Sequence, residues 1–176
     1  LITLLVTTYP SPKELLNNRS DDGYTPFLTA ISLYKQKTHI KTYEKYLVSP
    51  SYVMIEIIID LIKLGADLEL PVLGESRESG MSAIHIAAQK PSVSKTLLQA
   101  LTDTSIDLNK FSEEGLTPLM YAVTPIVDGA VRSEMAGSNV AFLLSKNADV
   151  NITAPKFNNR NVLQMACLER DSLFET

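Results

Sequence analysis

Apolar and polar positions follow two spacings along this chain. Val53, Ile57, Ile58, Leu61 and Ile62 recur at helical spacing among Glu56, Asp60 and Lys63. That pattern predicts a helix with one broad apolar face. The second pattern is shorter and sits in Gly115-Leu-Thr-Pro-Leu-Met-Tyr-Ala-Val123. There a glycine and Thr-Pro precede an apolar pair and a small residue, as suits a tight turn running into a short helix. Glycine takes positive φ without steric cost. Proline in the first helical turn gives up only an N–H that had no intrahelical partner. The threonine before it can cap the exposed donors of that turn.

The short pattern recurs. Gly23-Tyr-Thr-Pro-Phe-Leu-Thr-Ala-Ile31 matches closely, and Gly80-Met-Ser-Ala-Ile-His-Ile-Ala-Ala88 has Ser-Ala in place of Thr-Pro. Asn159-Arg-Asn-Val-Leu-Gln-Met-Ala-Cys167 is a degenerate fourth copy. Its Asn159 is expected to replace glycine at positive φ, which asparagine tolerates better than most residues. A second phrase lies upstream of the next copy each time: Leu61-Ile-Lys-Leu-Gly-Ala-Asp-Leu68, Ile106-Asp-Leu-Asn109 and Leu143-Leu-Ser-Lys-Asn-Ala-Asp-Val-Asn151. Leu15-Leu-Asn17 is a remnant of one more.

With these paired phrases the chain resembles the ankyrin-repeat family, whose unit is a β-turn finger followed by two antiparallel helices opened by Thr-Pro-Leu-His-x-Ala. Thr117-Pro-Leu119 carries the first half of that pattern and Ile84-His-Ile-Ala-Ala88 the second. Ala66-Asp67 and Ala148-Asp149 match the family's Gly-Ala-Asp-Val-Asn close of the second helix. The resemblance spans essentially the whole chain. It implies an all-α solenoid of helix-turn-helix units joined by β-turn fingers, in which each apolar face is buried only by the neighbouring unit.

The expected organisation is a single ankyrin-repeat array over residues 1–176. Residues 1–18 form a partial leading repeat, with a break at Tyr9-Pro-Ser-Pro12, and complete units run over 19–76, 77–111 and 112–157 before a truncated 158–176. The turn residues 23, 80, 115 and 159 are 57, 35 and 44 apart, against about 33 for the family unit. Insertions are therefore expected between the helices at 34–51 and 125–138. The first, with Ile40, Tyr43 and Leu47 at helical spacing, reads as a short extra helix or an extension of the first helix, and the second, with Gly129 and Gly137, as a flexible loop. A smaller insertion, Leu70 to Ser79, enlarges one finger. With no polar capping unit visible, the intact protein is expected to continue at both ends.

Composition narrows the function classes. A net charge of −4 with a pI near 5.2 argues against nucleic-acid binding driven by phosphate neutralisation. One cysteine excludes an internal disulfide framework and, with two histidines, leaves no zinc cluster to assemble. The apolar stretches are too short or too charged to span a bilayer. The expected setting is intracellular and reducing, cytoplasmic or nuclear, with no membrane insertion. No Ser-His-Asp grouping, phosphate loop or carboxylate pair near a histidine can be assembled. The chain thus reads as no enzyme, with no catalytic residue, cofactor, metal or small-molecule substrate. By the resemblance, His85 is a structural histidine that bonds backbone between fingers. Cys167 reads as a packed thiol.

What remains is a protein-interaction scaffold, whose resemblance puts function on a concave face of finger turns and first helices. Tyr24, Met81, Leu116 and Arg160 follow the turn residues, and the first three are expected to form an exposed apolar strip. Leu33, Gln89 and Lys90 lie past the small residues on the same face. Asp21-Asp22, Glu75, Glu78 and Glu113-Glu114 precede three successive turns and are expected to align as an acidic ridge that steers a Lys- or Arg-bearing segment. Tyrosines 34, 43, 46 and 52 among Lys35, Lys37, Lys41 and Lys45 mark a third candidate patch, for an acidic partner, although the helical spacing and the chain's net acidity favour self-packing. The competing expectation is a regulatory or substrate-positioning domain of a larger enzyme whose catalytic machinery lies outside this chain.

Overall fold

In the computed structural model the described residues are 2–8, 10–34, 50–90, 95–123 and 134–171. They are mostly helical: α1 (Ile2–Thr8), α2 (Pro12–Asn17), α3 (Pro26–Leu33), α4 (Pro50–Lys63), α5 (Ala83–Gln89), α6 (Lys95–Thr102), α7 (Pro118–Val123) and α8 (Glu134–Ser145). The two-residue strands β1 (Thr153–Ala154) and β2 (Arg160–Asn161) and then α9 (Val162–Asp171) follow. The strands pair antiparallel around a 3-10 turn at Pro155–Phe157.

The four turn-to-helix stretches share one local chemistry. Gly23, Gly80 and Gly115 have φ of 84°, 74° and 81°, and Asn159 takes φ 53°, as expected of the glycine substitute. Two residues later comes the helix cap. Thr25 Oγ1 accepts from Leu28 N–H at 3.2 Å, and Thr117 Oγ1 accepts from Met120 N–H at 3.4 Å. Asn161 and Gln164 exchange reciprocal 3.0 Å bonds between side chain and backbone, satisfying donors that the first helical turn would otherwise leave unpaired.

The second phrase also has a fixed geometry. Gly65 (φ 89°) and Asn147 (φ 64°) end α4 and α8 in the left-handed region. Ala66 N–H then reaches Leu61 O at 3.0 Å, and Ala148 N–H reaches Leu143 O at 3.1 Å, the double wrap that closes a helix C-terminus. Beyond each close lies an Asx turn. Asp67, Asp107 and Asp149 accept from the N–H of Glu69, Asn109 and Asn151 at 2.8–2.9 Å. Asn17 Oδ1 accepts from Asp67 N–H and Asn109 Oδ1 from Asp149 N–H, both at 2.9 Å. Glu69 fills that acceptor place for Asp107 at 3.3 Å. Each close is thereby tied to the next one along the chain.

Helices α3, α5, α7 and α9 touch in series, α6 lies against α8, and α1 lies against α4. One contiguous core runs through them from Val6 and Leu16 through Phe27, Ile58, Ile84, Leu98 and Leu119 to Val162 and Met165. Some boundaries differ from those read in the sequence. Pro12–Asn17 is helical, with Pro12 in its first turn, directly after the expected break. The hairpin before α5 closes at Val72, whose N–H donates to Met81 O at 2.9 Å; its base therefore starts before Arg77. Residues 134–138, expected in a loop, belong to α8. The rest of the expected 125–138 insertion, and 35–49 of the first, lie outside the described residues.

Candidate surface at the turns

Neighbouring turns are joined through the backbone. Leu73 N–H donates to Gly23 O at 3.2 Å, and Glu113 N–H donates to Gly80 O at 3.1 Å. Lys156 Nζ reaches Glu113 O at 2.5 Å. Arg19 adds a guanidinium donor to Gly23 O and Pro71 O, each at 2.7 Å. The approach is so close that a Cβ on Gly23 would lie 1.9 Å from Leu73 O, and one on Gly80 would lie 2.5 Å from Glu113 Cβ. At Gly115 the nearest atom, on Lys156, is 3.7 Å away. Glycine is thus required twice over at the first two turns and for φ alone at the third.

This side-by-side arrangement carries Asp21, Asp22, Glu75, Glu113 and Glu114 as exposed residues on successive turns. Glu78 stands apart, half-buried and committed inside the protein. Its carboxylate accepts from Tyr24 Oη at 3.2 Å and pairs with Lys90 Nζ at 3.7 Å. Lys90 is committed as well: its ammonium donates to Ile31 O at 3.1 Å and to Ser32 O, the carbonyls at the end of α3. A cation there also suits the negative end of the helix dipole. Gln89 is half-buried, and Leu33 is exposed. Arg160 is half-buried and pairs with Ala154 across the strands.

The expected apolar strip is overturned. Met81 is 1% exposed and Leu116 5%, and both belong to the core. The cause is the turn itself. The residue after the turn glycine is the outgoing arm of a hairpin, its carbonyl accepting from Val72 N–H and Ser112 N–H at 2.9 Å in the two cases. Its side chain goes inward with the core. Tyr24 is half-buried, and its hydroxyl bonds to Ser76 at 3.1 Å and to Glu78; burial, foremost, and the Glu78 charge raise its pKa. Tyr34, named in the candidate docking patch for which self-packing is the favoured reading, is 2% exposed and packs in the core. Cys167, expected to be packed, is exposed.

His85 is fully buried, and its bonds fix its tautomer. Nε2 lies 2.9 Å from Lys110 O, an acceptor only, so the proton sits on Nε2. Nδ1 then accepts from Ser82 N–H at 3.2 Å and from the Ser82 hydroxyl at 2.8 Å. Burial, first of all, holds the ring neutral and its pKa down at about 4; the Lys110 charge acts the same way, and the bond to Lys110 O opposes. Tyr121 meets the ring edge-on at 5.6 Å. Its hydroxyl bonds to Ser112 at 3.0 Å and donates to Glu114 Oε2 at 3.2 Å. Burial and then Glu114 push its pKa up to about 12 against the Ser112 bond.

Lys90 and Glu78 form links between sequence-distant elements, and Ser112 with Tyr121 a link from a turn to the helix after it, that no local motif announces. Among the described residues, no three His, Cys, Asp or Glu side chains converge in a way that could hold a metal ion, and no helix is long and apolar enough to cross a membrane. No known family model and no curated protein sequence matches the chain.

Proposed function

We propose that this chain is an ankyrin-like solenoid that acts as a non-enzymatic scaffold, binding a partner protein through the edge formed by its turns. The observation that carries the reading is the row of exposed Asp21, Asp22, Glu75, Glu113 and Glu114 on turns that backbone hydrogen bonds hold side by side. The matched turns, caps and helix closes support the unit architecture. A stiff row of like charges raises the association rate of an opposite charge and selects against acidic partners. The partner is therefore a segment rich in Lys or Arg. Exposed Leu73 and Phe111 beside these acids suit apolar side chains spaced between the basic ones. Contact is made by the acids and these two residues, while Met81, Leu116, Glu78 and Lys90 hold the surface in shape.

Selection of displayed random peptides on the purified chain tests this reading. Enriched peptides are expected to carry interspersed Lys or Arg and large apolar residues. An Asp22→Lys, Glu75→Lys, Glu113→Lys variant is expected to lose that enrichment. Enrichment without basic bias, or unchanged on the variant, contradicts the proposal.

A further inference from the structure

The joints between neighbouring turns loosen along the chain. The first and second turns are held by the backbone bond from Leu73 N–H to Gly23 O and by the Arg19 bond to Pro71 O. The second and third are held by the backbone bond from Glu113 N–H to Gly80 O. Between the third turn and the hairpin of β1 and β2, the one hydrogen bond among the described residues runs from the Lys156 side chain to Glu113 O at 2.5 Å. Clearance over the turn glycines follows the same order. The atom nearest to an added Cβ lies at 1.9 Å for Gly23, 2.5 Å for Gly80 and 3.7 Å for Gly115, and at Gly115 that atom belongs to the Lys156 stem.

The base and the tip of this hairpin differ. Ala154 is 0% exposed and lies in the core, whereas the residues from Pro155 to Asn159 are all exposed. The tip is thus carried on a fixed base and strapped to its neighbour by one flexible side chain. A main-chain N–H in the earlier joints cannot be exchanged for a donor from outside, but a lysine ammonium can. The strap also holds a neutral carbonyl in water, where such a bond is weak because solvent offers the same partners. That carbonyl belongs to Glu113, whose carboxylate and that of Glu114 stand exposed on the same turn. We propose that Lys156 is an autoinhibitory latch: it occupies the end of the acidic edge until a Lys or Arg of the partner displaces it and the hairpin tip, with Phe157, swings clear. The latch rests on the basic-partner reading above, because displacement needs a competing cation.

Competitive trace acylation of lysines, read residue by residue by peptide mass spectrometry, tests the latch. In the free chain Lys156 is expected to react at least threefold more slowly than Lys13 and Lys63, which are exposed and hold no bond among the described residues. The probe is N-acetylated hexa-arginine, which has no amine to consume the reagent. At saturation it is expected to raise Lys156 to the rate of those two lysines, the reverse of the protection that contact usually gives. Lys156→Met keeps a stem over Gly115 and removes the cation. It is expected to bind the probe at least threefold more tightly, both at low salt and at about 300 mM, where screening removes a mere effect of charge. A free-chain rate equal to that of Lys13 and Lys63 overturns the latch. So does probe binding that leaves the Lys156 rate unchanged or lowered, or equal affinity in parent and variant; each of these leaves the acidic edge standing. No binding to either protein overturns both.

Discussion

His85 and Lys110 are joined by one bond that fixes a tautomer: the ring Nε2–H donates to the Lys110 carbonyl at 2.9 Å, leaving Nδ1 to accept from Ser82. The bond ties the start of α5 to the loop ahead of the next turn, and the buried neutral ring sets a pH dependence. A pKa lowered from 6.5 to about 4 means that the folded protein resists a proton which the unfolded chain accepts. Stability from this group is complete above pH 6.5 and is lost as pH falls towards 4, by about 3 kcal/mol in all. Chemical unfolding of the parent and of His85→Gln across this range is expected to show the excess slope in the parent alone. A His85 imidazole signal, assigned by its loss in His85→Gln, that titrates near 6.5 in the folded state contradicts the assignment.

The turn glycines separate two costs that are usually confounded. Gly115→Ala is strained only by positive φ and is expected to cost about 1–2 kcal/mol. Gly23→Ala must also push neighbouring backbones apart, because its Cβ would fall 1.9 Å from Leu73 O. Its expected loss is at least about twice as large. Gly115→Asn is expected to be nearly neutral, since Asn147, Asn158 and Asn159 already occupy this region. Thermal unfolding of the three variants gives the order.

Within the acidic residues the structure separates surface from support. Glu78→Lys breaks the bond to Tyr24 and sets a second cation against Lys90, which is tied to the end of α3. It is expected to lower the unfolding temperature by several degrees, corresponding to roughly 1–3 kcal/mol. Glu75→Lys, on an exposed turn, is expected to leave it within about one degree. Equal effects would contradict the division.

The ladder of helix closes makes a smaller claim. Asn109→Ala removes the acceptor of Asp149 N–H and is expected to cost about 0.5–1.5 kcal/mol. Amide exchange at Asp149 is expected to quicken, while that at Asp67, held by Asn17, stays unchanged.

The local features were legible beforehand because each is enforced within a few residues. Positive φ at Gly23 and Asn159, the caps Thr25 and Thr117, and the closes at Gly65 and Asn147 all follow from residue chemistry at fixed offsets. The exposure of individual side chains was not legible. Met81 and Leu116 are turned inward by hairpin pairing, and Lys90 is consumed by carbonyls 58 and 59 residues away. Asn139 donates to Ala88 O and Lys90 O from α8. Such distant partners leave no periodicity to read. Helix α2 escaped because its six residues offer one buried leucine, Leu16, and no repeat of it.

The exposed acidic edge is tested most directly by association kinetics against ionic strength, using a peptide selected on the chain. Parent association is expected to slow steeply as salt rises from about 20 to 300 mM, because screening shortens the reach of the acidic row. The Asp22→Lys, Glu75→Lys, Glu113→Lys variant is expected to associate at least tenfold more slowly at low salt and to lose that dependence. The same rate and the same salt slope in both proteins would show that the acidic edge plays no role in binding.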